Sequence, residues 1–267
     1  MAASKKRYRY VYGPVSSWRL GSSLGVDPLS VRLKVCSFDC GYCQIGKTKI
    51  LSKKRKVFVK SDSILKEIGS LPPLHIDYIT FSGTGEPTLA KNLGAIIRGI
   101  RAIRKERIAV ITNSTLIDRK DVQNDLLLAD FVLFKLDATA EIFKRINRPV
   151  RGVRFESIIK GIKEFSGRFK GKVALQIMFT KDNKSYAADI ASIARDIDPD
   201  EVQINTPLRP GNGKPISKTK INMIKQCFKG MRLVSVYGPK KKKAKPISIG
   251  STLKRRAALL KGKAVNA

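Results

Sequence analysis

The chain has 267 residues, 42% of them hydrophobic, which is enough to bury a core and too apolar for a disordered polymer. Its 54 Lys and Arg face only 21 Asp and Glu, a formal charge of +33; an enzyme of a small metabolite has no need of such a field, whereas a partner of polyanions, above all nucleic acid, does. No stretch approaches the roughly 18–20 apolar residues of a membrane span, and Met1-Ala2-Ala3-Ser4-Lys5-Lys6-Arg7 lacks the apolar run of a secretory signal, so a cytoplasmic protein with no membrane partner is expected.

In chain order, residues 1–30 carry Tyr8, Tyr10, Tyr12 and Trp18 among the turn pairs Gly13-Pro14 and Asp27-Pro28. They read as a leader that packs on the following domain without long regular structure. Residues 31–35 read as a first strand. The basic loop from Lys47 to Lys60 follows, with Lys53-Lys54-Arg55-Lys56 at its centre, and Ser61-Asp62-Ser63 then offers an N-cap for a helix to about Gly69. Strand 76–81 leads to helix 89–104, whose Leu89, Leu93, Ile96, Ile97, Ile100 and Ile103 share one face. Next come strand 108–111, a helix capped by Asp118 and running to about Leu128, and strand 131–136. Helix 154–165, strand 173–179, helix 185–195, strand 202–204, helix 217–228 and a last short strand within 232–237 complete the pattern.

Alternating strands and helices specify βαβ units on a parallel sheet. Their number specifies an α/β fold, a partial (β/α)6 TIM-like barrel over residues 31–238. From Pro239 the composition changes: residues 239–267 hold ten Lys or Arg and no Asp or Glu. This part reads as a flexible basic tail, with a short helix near Thr252–Leu260.

In parallel βα folds chemistry sits where strands end, and here the expected strands end on reactive groups. The first runs into Cys36, the second into Ser82-Gly83-Thr84-Gly85-Glu86-Pro87 and the third into Thr112-Asn113-Ser114. The fourth carries Lys135 and ends at Asp137, the fifth runs into Thr180-Lys181-Asp182-Asn183, and the sixth carries Gln203 and ends at Asn205. Each could serve as a cap or turn residue, but together they outline one reactive rim.

Three of the four Cys lie within eight residues, Cys36-Ser37-Phe38-Asp39-Cys40-Gly41-Tyr42-Cys43, with the spacing C-x3-C-x2-C. Such a cluster in a cytoplasmic chain points to a metal site rather than a disulfide, and Gly41 permits a tight bend. Zinc is the rival metal, but a structural zinc site closes with four ligands, and the chain offers only His75 and the distant Cys227. Three thiolates without a fourth suit an iron–sulfur cluster with one iron left open. Cys227 reads as a small buried hydrophobe.

This segment, with aromatic Tyr42 before the last Cys, resembles the signature of radical S-adenosylmethionine (radical SAM) enzymes. The resemblance implies a [4Fe–4S] cluster on Cys36, Cys40 and Cys43, S-adenosylmethionine chelated through its methionine moiety, and reductive cleavage to a 5′-deoxyadenosyl radical. It implies that Tyr42 packs near the adenine. It implies too that Gly83-Thr84-Gly85-Glu86-Pro87, similar to the family's Gly-Gly-Glu-Pro-type motif with Thr84 for the middle Gly, holds the methionine ammonium through backbone groups and the Glu86 carboxylate. Thr112-Asn113-Ser114 is similar to a segment near the ribose, and Lys135 with Asp137 to a polar segment on the fourth strand, although these two could simply pair with each other.

A narrower resemblance, carried by Val11-Tyr12-Gly13-Pro14-Val15, Ser23-Leu24-Gly25-Val26-Asp27, Gln44-Ile45-Gly46-Lys47-Thr48 and Ile146-Asn147-Arg148-Pro149, is to a subgroup related to wyosine-type tRNA synthetases. The second Cys cluster of those synthetases has no counterpart here, so wyosine synthesis itself is not expected. Two partners are expected: tRNA or another RNA on the Lys47–Lys60 loop and the basic tail, its target base turned out toward the radical, and an electron donor such as ferredoxin or flavodoxin. The alternatives are an activase that installs a radical on a protein partner, and a non-enzymatic RNA-binding protein stapled by its metal. A Lys-rich source composition would give the same charge without RNA.

Overall fold

The computed structural model describes residues 8–209, 213–238 and 243–256. β1 (Val11–Ser17) and β2 (Gly21–Val26) form an antiparallel hairpin. β3 (Val35–Cys36) and β4 (Ile50–Leu51) make a separate two-stranded parallel sheet. The βα rhythm then follows: α1 (Ser61–Gly69), β5 (Tyr78–Phe81), a 3-10 turn (Pro87–Leu89), α2 (Leu93–Ile103), β6 (Arg107–Thr112), α3 (Lys120–Leu126) and β7 (Phe131–Lys135). α4 (Ala140–Asn147), α5 (Phe155–Ser166), β8 (Lys172–Met178), a 3-10 turn (Lys184–Tyr186), α6 (Ala187–Ile197), β9 (Glu201–Asn205), α7 (Lys218–Cys227), β10 (Leu233–Ser235) and α8 (Ile249–Arg256) complete it. Among the described residues no helix is long and apolar enough to cross a membrane.

The large sheet runs β1-β2-β5-β6-β7-β8-β9-β10, antiparallel only at β1–β2, and curls into the expected half-barrel. Side chains alternate across it with a period of two. Val132 and Phe134 of β7, with Val110, Leu175 and Ile177, join the helix-covered core, where Phe134 meets Phe165 edge-to-face at 5.5 Å. Phe131 and Leu133 point the other way and build an apolar floor inside the barrel with Leu20, Ala109 and Ala174. One step further along the same inner face stand Lys135 on β7, Gln176 and Met178 on β8, Thr80 on β5 and Asn205 on β9, the wall of the principal cavity.

Four expectations change. The leader is not irregular: β2 pairs in parallel with β5, in register from Ser23↔Tyr78 to Val26↔Phe81, and is the first strand of the barrel. Pro14 obscured it, and it is tolerated because β1 is the edge strand and slips register between Tyr12 and Val15. Residues 31–35 are not that strand; Leu33 is exposed, and only Val35-Cys36 pairs, with β4. α4 was not anticipated: Ile142, Phe143 and Ile146 share its buried face, but the helix is only eight residues long. The described part of the tail is anchored: the Ile247 N–H donates to the Gly13 carbonyl at 2.6 Å, and α8 lies against β1. The expected tail helix is α8, which starts at Ile249 and is described to Arg256; residues 239–242 and 257–267 lie outside the described residues.

Phe134→Ala empties a fully buried ring site beside Phe165 and should cost about 3–5 kcal/mol of stability, measured by urea unfolding.

Candidate functional site

The cysteine loop is set down on the barrel rim by backbone contacts. Val35 bridges to Gly85, and the Glu86 N–H donates to the Val35 carbonyl at 3.3 Å. A Cβ at Gly85 would overlap that carbonyl oxygen, so only glycine lets β3 lie on the turn after β5. The loop is held on its other side by the end of α4. The Asp39 N–H reaches the carbonyls of Asn147 and Arg148 at 3.1 Å, Gly41 N–H reaches Ile146 at 3.2 Å, and Val150 N–H returns to Ser37 at 2.9 Å. Arg148 takes left-handed backbone, φ 46°, which turns these carbonyls toward the loop. The segment Ile146-Asn147-Arg148-Pro149 thus holds the loop, a role its sequence did not disclose. Thr48 closes the loop through Asp39 Oδ1 and the Phe38 carbonyl, each at 2.7 Å.

This frame turns the three thiols into one cavity of about 330 Å³. Each sulfur meets one nitrogen donor: Asn113 Nδ2 lies 3.5 Å from Cys36 Sγ, Asn147 Nδ2 3.6 Å from Cys40 Sγ, and Lys34 Nζ 3.1 Å from Cys43 Sγ. Burial, reinforced by the Glu86 charge, pushes the Cys36 thiol up to about 12; burial and the Asp137 charge push Cys40 up to about 11. Both are protonated in the metal-free chain near neutrality, so metal uptake must displace their protons. Among the described residues no three His, Cys, Asp or Glu close on a single ion. A structural zinc site closes with four ligands, whereas the described lining of this cavity offers three thiols and no fourth Cys or His, which suits an iron–sulfur cluster with one iron open.

Two buried carboxylates face the thiols. Glu86 accepts from the Thr88 N–H at 3.1 Å and hydroxyl at 2.7 Å, the Thr112 hydroxyl at 2.6 Å and the Asn113 N–H at 2.7 Å. Burial raises its pKa, and these donors oppose the rise. Among the ion pairs of the described residues it has no cation. Asp137 is paired: Lys135 Nζ lies 2.9 Å away, Met178 N–H donates at 2.7 Å, and the Tyr42 phenol donates to it. Burial, then the Asp137 charge, raises the Tyr42 pKa, so the phenol keeps its proton. Lys135 also sits 5.3 Å from the Tyr42 ring centre.

Of the expected site residues, Cys36, Cys40, Cys43, Tyr42, Gly83, Gly85, Glu86, Asn113, Lys135 and Asp137 all line this cavity. Thr84 and Ser114 do not. Thr84 turns outward and donates through both N–H and hydroxyl to Asp27 Oδ2, at 3.2 and 3.0 Å. Ser114 is buried at φ 69° beside the rim, its hydroxyl without a partner among the described residues. The expected rim residue Asn183 serves structure instead, donating to the carbonyls of Asp137 and Met178. Sequence reasoning passed over Lys34, Gln176, Arg209 and Arg255 in the wall. The inward phase of β8 marks Gln176; nothing local marks Arg255.

A curled parallel sheet with three thiols and a glycine-bounded carboxylate on one rim defines a class, the radical SAM enzymes, and residues 31–194 match the model of the radical SAM superfamily. The chain is 41% identical to a UPF0026 protein of Synechocystis sp. over 213 residues, 78% of each chain. Its fold superposes on native anSMEcpe with bound AdoMet at a TM-score of 0.60, with 20% identity, over 80% of this chain and 64% of that one. It superposes on Streptococcus suis SuiB bound to precursor peptide SuiA at 0.59, with 14% identity, over 81% of this chain and 49% of that one, so it spans about half of SuiB. The protein therefore belongs to the radical SAM superfamily and, within it, to the UPF0026 family. The superfamily works with a [4Fe–4S] cluster and S-adenosylmethionine.

Two outcomes check this geometry. Gly85→Ala should cost about 2 kcal/mol or more, because the clash is with backbone, and should lower the iron retained after anaerobic reconstitution, read by iron assay. For the metal-free chain the sign follows from the raised thiol pKa: the folded state holds protons that the unfolded state releases, so stability falls as pH rises from the ordinary thiol value of 9.0 toward about 12. In Cys36→Ala that fall should be shallower, measured by urea unfolding between pH 8 and pH 11.

Proposed function

We propose that this radical SAM enzyme holds its cluster on Cys36, Cys40 and Cys43, seats S-adenosylmethionine across Gly83, Gly85, Glu86, Asn113 and Tyr42, and acts on RNA. The observation that carries the cofactor assignment is the pairing of three inward thiols with Glu86, a buried carboxylate that faces the same cavity and has no cation of its own among the described residues. A charged amine from a ligand is the natural counterion of such a group. The cluster, when bound and reduced, supplies the electron that cleaves S-adenosylmethionine to methionine and a 5′-deoxyadenosyl radical. The chain's own residues orient and enclose. Asn113, Asn147 and Lys34 each direct a donor at one sulfur, which favours the thiolate. Asp137 fixes the Tyr42 ring, and the apolar floor of Leu20, Phe131 and Leu133 closes the barrel beneath.

The RNA assignment rests on charge. Lys47, Lys49, Lys53, Lys54, Lys56 and Lys60 are all exposed on the loop that leaves the cysteines, and phosphates are the partner such a field attracts. Arg55 is not part of that surface: its guanidinium is tied to Asp121, Asp125 and the carbonyls of Thr88 and Ala90. Trp18, on the cavity wall with Arg19 5.1 Å from its ring centre, offers a face for a base turned into the barrel. A tRNA is the form of RNA the narrower sequence resemblance suggests, and ferredoxin or flavodoxin is the electron donor that suits a basic surface.

The test is anaerobic. Reconstituted enzyme, reduced with dithionite, should release 5′-deoxyadenosine, and Cys40→Ala should lower that release about 100-fold or more. Bulk tRNA should raise it, with a binding constant that falls steeply between 50 and 200 mM salt. No product with or without RNA overturns the enzyme assignment. Product indifferent to RNA but raised by a peptide substrate overturns the RNA assignment alone.

A further inference from the structure

Arg255 comes from the segment that reads as a basic tail, yet its side chain is 1% exposed and lines the cofactor cavity. Its Nε donates to Asp27 Oδ2 at 2.9 Å, and Asp27 is also 1% exposed. The rest of the guanidinium is occupied as well: Nη2 donates to the Arg9 carbonyl and to Ser30 Oγ at 2.9 Å, and Nη1 to the Ser251 carbonyl at 3.2 Å. Asp27 is the residue into which β2 runs. Its Oδ1 accepts from the N–H of Ser30 at 3.0 Å and of Leu29 at 3.3 Å, while Oδ2 takes both donors of Thr84. Gly83, at φ 152°, is pressed so closely on Asp27 that an added Cβ would overlap its carboxyl. A second link runs in parallel. The guanidinium lies 5.5 Å from the Tyr12 ring centre, and the Tyr12 hydroxyl pairs with Ser82 Oγ at 2.6 Å. Both routes end on Ser82–Thr84, the stretch immediately before Gly85 and Glu86.

We infer that Arg255 is a positioning residue for S-adenosylmethionine: α8 sets the Gly83–Glu86 cradle through Asp27. The inference rests on the assignment of that cradle made above. Surface stability would not require this construction. A buried ion pair gains little over an apolar pair of the same shape, and its attested use is to specify one arrangement among several. Here the arrangement specified is that of the turn whose carboxylate meets the cofactor, and arginine is required because one cation must reach a carboxylate, a hydroxyl and two carbonyls in one plane.

Arg255→Lys keeps the charge and loses the fork. In the cluster-loaded, unreduced enzyme it should raise the Kd for S-adenosylmethionine about tenfold by equilibrium dialysis, with KM rising in parallel and kcat at saturation changed less than about twofold. Iron content should be unchanged. Thr84→Val cuts the other end of the route and should weaken binding similarly, and the double variant should fall short of the product of the two effects. If Arg255→Lys does not fold, Asp27→Asn with Arg255→Gln, which removes both charges together, replaces it with the same expected rise in Kd. A wild-type Kd in the Arg255 variant, whatever its melting temperature, overturns the inference, as does full multiplicativity in the double variant. Failure of the wild-type enzyme to bind S-adenosylmethionine overturns instead the cradle assignment on which it rests.

Discussion

The backbone contact between Val35 and Gly85 organises the site. It joins two segments that share no helix or long strand, the cysteine loop and the turn after β5, and it exists because position 85 has no side chain. Everything reactive is referred to it. Cys36 follows Val35 directly, Glu86 follows Gly85 directly, and the Glu86 N–H is bonded to the Val35 carbonyl. Thiol and carboxylate are thereby brought to one wall by backbone contacts, and each is left to face the cavity.

Around that junction the protein buries three carboxylates, and each is matched by donors. Glu86 has four donors, Asp137 has an ammonium, a phenol and an N–H, and Asp27 has a guanidinium and three N–H groups. Buried carboxylates so completely satisfied do not drift, since each loss would strand a polar group in a low-dielectric interior. The rim is rigid because its members hold one another; the apolar floor only closes it.

The barrel is legible in the sequence wherever a strand is buried on its outer face and followed by a helix of clear period, as with β5 and β8. Rim residues are legible by the same logic, because a parallel strand delivers its last residue to a known edge; Glu86, Asn113 and Asp137 are found this way, whereas Cys36 is marked by its spacing from Cys40 and Cys43 and not by a barrel strand. Three features are not legible, for three reasons. β2 is masked by the Gly-Pro pair of its hairpin partner and by Ser23 and Gly25, which suit the polar inner face rather than a hydrophobic pattern. α4 is only eight residues long, and its contribution is made by backbone carbonyls, which have no sequence signature. Arg255 belongs to a run of positive charge, and composition cannot separate its buried guanidinium from the exposed Lys243, Lys245 and Lys254.

The hydrogen bond from the Gly13 N–H to the Thr252 hydroxyl, at 3.0 Å, joins residues 239 apart in the chain. A growing polypeptide can complete its middle strands while still tethered to the ribosome, since those pairings are between neighbours in order. The wall formed by β1 and α8 cannot close until the residues around Thr252 have emerged. The part of the cavity lined by Tyr12 and Arg255 is therefore completed after the strands that carry the rest of the rim.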